Sequence, residues 1–314
     1  MKIVEYDDVD PLEVLHLNLL GLGFPLTPER VALIRRLDPR PFPFVALYAI
    51  VDENVAGQVG VFRLPLVTTD GPEDVGGVWA VCTHPAFSHH GIATLLLEEA
   101  HARMRAAGLR FSTLGTSRYR GAYRLYRGQG YEDAASSVSA LTRRSAARCD
   151  TRLQAERANP AQLSLADDIF RQAAAGKLGF ARRHEPFIPA MIEIGEVNAN
   201  EVWLLLDGGK LIGYALARVV ETVLRVSDLL LCEGIDAAEA IAAITHESSA
   251  DYVRASVNRP SDIASLRRAG FQLALPDWST FMIKPLTPDV TIEEARRLLG
   301  IGTNQFLMSW MDTT

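Results

Sequence analysis

Residues 78–104 constrain the fold more than any other part of the chain. The apolar run Val78-Trp79-Ala80-Val81-Cys82 passes through Ser88-His89-His90-Gly91-Ile92-Ala93-Thr94 into apolar residues at helical spacing, from Leu95-Leu96-Leu97 to Met104. A strand feeding a helix through a glycine-bearing turn aims several backbone N–H groups, and the positive end of the helix dipole, at one point. Such a point suits a diphosphate.

A second stretch follows. Leu125-Tyr126-Arg127-Gly128-Gln129-Gly130-Tyr131 places a tyrosine four residues before a Gly-aromatic pair. It ends a helical pattern running from Tyr119 to Arg127, and Arg110 to Leu114 reads as a short strand before it. In this order the two stretches resemble the GCN5-related N-acetyltransferases, the GNAT superfamily. Motif A of that family is a strand ending near a proline, then Q/R-x-x-G-x-G/A and a leucine-rich helix. Pro85, Gly91, Ala93 and Leu95-Leu96-Leu97 fill those places, while Ser88 stands where the family usually has Gln or Arg. The cradle then rests on backbone N–H groups and the imidazoles of His89 and His90.

The resemblance implies an acetyl-CoA co-substrate and direct transfer of its acetyl group to a primary amine, without a covalent enzyme intermediate and without a metal. Val81, Cys82 and Thr83 would pair with the pantetheine amides and polarise the thioester carbonyl, and Ser88, His89, His90, Gly91, Ile92, Ala93 and Thr94 would hold the diphosphate. Tyr126 is the expected general acid for the departing thiolate, with Tyr123 one turn earlier as the fallback. The general base is open, because Val78, Trp79, Ala80 and Val81 offer no carboxylate. Glu73, Asp74 and His84 are candidates from the chain around the strand. A fourth is the Thr314 carboxylate, since tandem GNAT proteins of the enhanced-intracellular-survival type bring their chain terminus to the catalytic centre. The apolar tail from Phe306 to Thr314 is expected to dock, against the second domain or a neighbouring subunit.

With 314 residues, 48% of them hydrophobic, the chain is long for one domain of this kind. Pro11 to Gly21 and Thr27 to Arg36 have helical spacing, with Thr27-Pro28-Glu29 as an N-cap, a proline at the first helical position and an early acid. Phe44 to Val51 and Val55 to Pro65 flank Asp52-Glu53-Asn54 as a hairpin. Leu66 to Gly77 reads as a polar loop, Ser136 to Leu141 as the strand closing the first domain, and Arg143 to Arg148 as a linker.

The second half repeats this plan. Strands Glu201 to Leu206 and Leu211 to Val219 flank Asp207-Gly208-Gly209-Lys210; a strand Val223 to Cys232 leads to a helix Ile235 to Ile244. A strand Tyr252 to Val257, a helix Ser261 to Ala269 and the pair Gly270-Phe271 complete it. The expected fold is therefore α/β, with two GNAT-like domains in tandem, each a twisted mixed sheet flanked by helices. Residues 1–147 would form the catalytic domain, 148–286 the second, and 287–314 a C-terminal helix and tail. The second copy lacks the chemistry: Glu233 and Asp236 would repel a diphosphate, and Leu266 stands where Tyr126 stands in the first.

The acidic start Met1 to Asp8 shows no leader pattern, and no apolar run is long enough to span a bilayer. Cys82, Cys149 and Cys232 have no pairing pattern and read as buried reduced thiols, which with the rest points to the cytoplasm. A net charge of −6 disfavours nucleic acid and mildly favours a cationic acceptor. His16, His101, His184 and His246 lack ligand spacing and read as structural. A small-molecule or peptide amine is the expected acceptor, its pocket shaped by the first two helices, the loop Gly21 to Pro25 and side chains such as Phe24 and Trp79; a homodimer is compatible with the sequence. The competing reading is an acyl-CoA-binding sensor or scaffold without turnover.

Overall fold

Asp52 and Glu53 both take positive φ (48° and 65°), the geometry of a two-residue turn whose twist matches the strands it joins. In the computed structural model, which describes residues 1–146, 151–275 and 280–312, that turn links β2 (Pro41–Val51) to β3 (Asn54–Thr68). Ahead of it come β1 (Lys2–Glu5), α1 (Pro11–Gly21) and α2 (Pro28–Leu37). Thr27 caps α2 as expected, its hydroxyl accepting from the Arg30 N–H at 3.2 Å. After β3 the chain forms β4 (Gly71–Thr83), α3 (Ile92–Ala106), β5 (Phe111–Thr116), α4 (Gly121–Gly128), β6 (Glu132–Ser136) and β7 (Val138–Arg143). The second half contributes β8 (Gln154–Arg157), α5 (Ser164–Ala174), β9 (Leu178–Gly179), α6 (Ile188–Ile194), β10 (Val202–Asp207), β11 (Lys210–Val220) and β12 (Val223–Leu231). It continues with α7 (Ala237–His246), β13 (Tyr252–Val257), α8 (Pro260–Arg268), β14 (Gln272–Ala274) and β15 (Thr280–Pro285), and α9 (Ile292–Leu298) and β16 (Phe306–Leu307) end the described chain.

These strands form two mixed sheets that trade a strand. The first runs β1-β2-β3-β4-β5-β15-β6 and the second β14-β7-β13-β12-β11-β10-β8. β7, from the first half, lies in the second sheet with Val138–Arg143 against Val257–Tyr252. β15, from the second half, fills the matching slot in the first sheet, with Thr280 opposite Thr116 and Pro285 opposite Phe111. The strand read as closing the first domain therefore closes the second. Alternation of apolar residues fixes that a segment is a strand, and carries no record of which sheet receives it.

The expected loop from Leu66 to Gly77 is also corrected. β3 and β4 pair without interruption to Thr68 and Gly71, turning at Thr69-Asp70. Leu64, Leu66 and Val75 are buried there beneath Ile292, Ala295 and Leu298 of α9. This cover, built by a remote segment, makes a strand of a stretch rich in glycine and acid. α4 begins at Gly121, so Tyr119 falls outside it and is exposed.

α3 and α4 cover the first sheet, and α7 and α8 the second. A third core joins the halves: Val14, Leu17 and Ile34 pack with Phe170, Met191, Tyr214 and Met311. The tail docks within the molecule, as β16 pairs in parallel with β9, and β9 meets β3 at Val67. No helix among the described residues is long and apolar enough to cross a membrane.

Candidate active site

Parallel pairing between β4 and β5 consists of Gly76 with Ser112 and Gly77 with Thr113, and stops there. Beyond Gly77 the strands part into a fork. On its β4 arm Gly60 pairs with Trp79 and Gln58 with Cys82, so Val59 alone faces both Ala80 and Val81. This is a bulge, and Ala80 carries its positive φ of 48°. A bulge leaves backbone polar groups outside the ladder, free to bond a guest chain. Buried Gln58 fixes its shape, its amide nitrogen donating to the Ala80 carbonyl at 3.1 Å and to Asn18 Oδ1 at 2.9 Å. Asn18 donates in return to Gln58 Oε1 at 2.9 Å and to the Val14 carbonyl at 2.8 Å.

The turn after β4 presents the start of α3. Gly91 is its N-cap at φ 75°, and no side chain caps the helix, so its first N–H groups point outward. A Cβ on Gly91 would meet nothing within 4 Å, which leaves room for a ligand. Ser88, His89, His90 and Gly91 are exposed around this opening, while Ile92 is buried. Gly57 lets the helix start approach the sheet: a Cβ there would lie 2.8 Å from Ile92 Cγ2. The acidic counterpart in the second half is closed. Asp236 caps α7, accepting from the Ala238 N–H at 2.9 Å, the Glu239 N–H at 3.3 Å and the Ser265 hydroxyl at 2.6 Å.

Tyr126 is buried on α4, edge-on to Tyr131 with ring centres 6.0 Å apart. Burial, then the neighbouring Cys82, pushes its phenol up to about 12. The same burial pushes the Cys82 thiol up to about 12. Tyr123 is engaged elsewhere, donating to Asp133 at 3.1 Å. Leu266, the counterpart of Tyr126, is wholly buried in the second core.

Of the candidate bases, Glu73 is held by Arg110 through bonds of 2.8 and 2.6 Å. Asp74 precedes Ala80 by six residues, roughly 20 Å at ~3.3 Å per strand residue. Both therefore sit at the far end of the hairpin. His84 follows β4 directly, its Nδ1 accepting from the Ala86 N–H at 3.1 Å. Thr314 lies outside the described residues, as does Cys149. Cys232 is only half-buried, because it sits just past the end of β12.

Sequence reasoning missed a cavity of about 460 Å³ between the two sheets. Trp79 and Gly115, two residues past the last β4–β5 pair on each arm, line it. The opposite wall is a second fork: β12 and β13 pair only over Val223–Val226 and Tyr252–Ala255, and Ser227, Asp228 and Ser256 beyond them face the same space. β12 also carries a bulge, since Leu216 pairs with Asp228 and Ala217 with Val226. Trp79 stacks on Phe62 with ring centres 4.8 Å apart.

A buried polar chain crosses this cavity. Arg183 grips Asp312 at 2.8 and 2.7 Å and donates to the Tyr214 hydroxyl at 2.7 Å, and that hydroxyl donates to Asp228 at 3.2 Å. Arg40 holds the Met311 carbonyl at 2.9 Å and pairs with Asp38 at 2.8 Å. Burial raises the Asp38 carboxyl, but hydrogen bonds from His184 and Arg40 outweigh it and hold the group well below its usual range. For Asp228 burial wins over Arg183, and its carboxyl is raised. The signal in sequence was a lone carboxylate within the apolar run Leu224 to Leu231.

Residues 16–134 match the family model described as acetyltransferase (GNAT) domain. The first half of the chain is a GNAT acetyltransferase domain. No curated protein matches the chain in sequence. Among solved structures, a conserved protein of unknown function from Enterococcus faecalis, described as a probable N-acyltransferase, aligns with TM-score 0.70 and 15% identity over 91% of this chain and 72% of that one. A GCN5-related N-acetyltransferase from Kribbella flavida aligns with TM-score 0.64 and 16% identity over 91% and 72%. A tandem GNAT protein from the clavulanic acid biosynthesis pathway aligns with TM-score 0.54 and 12% identity over 92% and 99%. These likenesses give the chain a tandem GNAT fold, with the fork and the Gly91 turn in its first copy.

Proposed function

We propose that the protein is an N-acetyltransferase that passes an acetyl group from acetyl-CoA to a primary amine by direct attack. The observation that carries this reading is the fork beyond Gly77 and Thr113, which has the bulge at Ala80 on one arm and the uncapped start of α3 just past it. The residues present fit the co-substrate. Backbone N–H groups at Gly91 to Thr94 suit the diphosphate, and the free edge from Val81 to Thr83 suits the pantetheine amides and the thioester carbonyl.

The amine attacks the thioester carbonyl as a neutral base; its lone pair forms the N–C bond, the C–S bond breaks, and the nitrogen's extra proton leaves to a base or to solvent. Tyr126 donates its proton to the departing sulfur. Burial raises its phenol to about 12, so it gives up its proton readily only to a thiolate raised by the same burial. The transfer is then close to balanced, where an exposed thiolate, at about 8.5, would be too weak a base. Of the described base candidates, His84 alone borders the fork. The second copy, with Asp236 in its helix start and Leu266 for tyrosine, supplies no acyl transfer of its own.

The test is a thermal shift with acetyl-CoA, followed by release of free thiol across a panel of amines. Ligand at about 100 times Kd should stabilise the protein by about 2.7 kcal/mol. A shift with thiol release supports the transferase. A shift without release over a broad panel overturns it in favour of an acyl-CoA sensor, and no shift at all in favour of a scaffold.

A further inference from the structure

Among the described residues in and around it, the cavity between the forks has five carboxylates to four guanidiniums. Around it Arg40 pairs with Asp38, Arg259 with Asp262 at 2.7 Å and Arg30 with Glu196 at 2.9 Å. Arg183 is gripped by Asp312 through both carboxylate oxygens, so its remaining nitrogen reaches Asp228 only through the Tyr214 hydroxyl. Two buried carboxylates thus share one guanidinium. A carboxylate 93% buried in this way needs a cation or a proton.

The position of Asp228 says where that cation belongs. It stands at the bulge of β12, on the arm of the second fork, as Val81 stands at the bulge of β4 on the first. In the first copy that place is backbone, fit for a thioester oxygen. A carboxylate there repels such an oxygen and attracts an ammonium. Both forks open on one space, so a group held at Asp228 faces the arm carrying Trp79 and Ala80. The walls around it are Trp79, Phe170, Phe281, Met191 and Met308, which suit an apolar body and provide aromatic faces for a cation.

We propose that Asp228 is an ammonium-binding residue of this shared cavity, and that the ligand it takes is a primary amine carried on an apolar or aromatic body. This deepens the acyl-transfer reading and rests on it for the ligand's role as acceptor. The second copy, having lost its own reaction, holds the acceptor for the first, and the ammonium passes one proton to the Asp228 carboxylate before its nitrogen attacks.

The experiment measures binding to the full chain by calorimetry, with 2-phenylethylamine, its neutral analogue 2-phenylethanol, and ethanolamine, which keeps the headgroup without the ring. 2-Phenylethylamine should bind at least about tenfold more tightly than either. Asp228→Asn should abolish the preference for amine over alcohol, a loss of roughly ten- to a hundredfold, while its thermal shift with acetyl-CoA confirms a folded first copy. Equal affinity for amine and alcohol in the wild type overturns the proposal without recourse to any variant, as does a preference that survives in Asp228→Asn. Amine bound through Asp228 with no thiol release, there or across the broad panel, supports the site and overturns the acyl-transfer reading. Undiminished thiol release from 2-phenylethylamine in Asp228→Asn overturns the site and leaves acyl transfer standing.

Discussion

Gln58 reaches across from β3 and donates to the carbonyl of Ala80 at 3.1 Å, tying down the one non-glycine residue of β4 whose φ is positive. The bond is backed by a reciprocal amide pair with Asn18, both residues being wholly buried. The bulge is thereby held by side chains on two other elements.

Gln58→Leu takes the side-chain donor from Asn18 Oδ1 and from the Ala80 carbonyl, while the Asn18 nitrogen keeps its bond to Val14. We expect a loss of about 1–3 kcal/mol in denaturant unfolding, with Asn18→Leu/Gln58→Leu less destabilised than the two single losses added together. Turnover should fall by up to about 10²-fold through misplacement of the thioester, with the thermal shift by acetyl-CoA largely kept. Additive losses would mean that the two amides do not act as a pair.

Tyr126→Phe keeps the ring against Tyr131 and removes the proton. Thiol release should drop by about 10² or more while acetyl-CoA still raises the melting temperature. An unchanged rate would remove Tyr126 from the chemistry.

Gly91→Ala meets no steric obstacle, so its effect is backbone strain at φ 75°. A cost of about 1–2 kcal/mol is expected, shared between stability and acetyl-CoA binding. Calorimetry on Gly91→Ala against Gly91→Asn checks it, because asparagine tolerates this region better and should recover part of the loss.

His101 gives the molecule an acid limit. Its Nε2 lies 2.8 Å from the Tyr131 hydroxyl, which in turn lies 2.6 Å from the Ser112 hydroxyl. Burial, then Lys284 and Arg105, lowers its pKa to about 3. The folded state thus refuses a proton that the unfolded chain accepts near 6.5. Stability from this group is full above that value and declines as pH falls from there toward 3, by about 1.4 kcal/mol per unit. Urea midpoints of wild type and His101→Gln between pH 7 and 5 should diverge with that slope. Parallel curves would mean that His101 is solvated in solution.

Local chemistry made much of this fold readable. Thr27-Pro28 starts α2, Asp52-Glu53 turns the first hairpin, and Gly91 opens α3 where the motif places it. The stretch from Leu66 to Gly77 misled because Gly71-Pro72 and Gly76-Gly77 read as breakers. Yet Leu64, Leu66 and Thr68 are buried at alternate positions, a period-two signal that the acids and glycines masked. Arg183, Tyr214, Asp228 and Asp312 come from segments far apart in the chain, and no spacing rule joins residues that meet only through the packing of two sheets. Asp228 alone left a trace, as a carboxylate in an apolar strand.

The trade of β7 and β15 has a consequence for the history and handling of the molecule. A gene cut at the linker yields two fragments, each missing an inner rib of its own sheet and carrying a loose ribbon meant for the other. Neither is expected to fold alone, whereas the two co-expressed should find each other. Loss of the second half would therefore unmake the first, whose sheet carries a rib of its neighbour between β5 and β6.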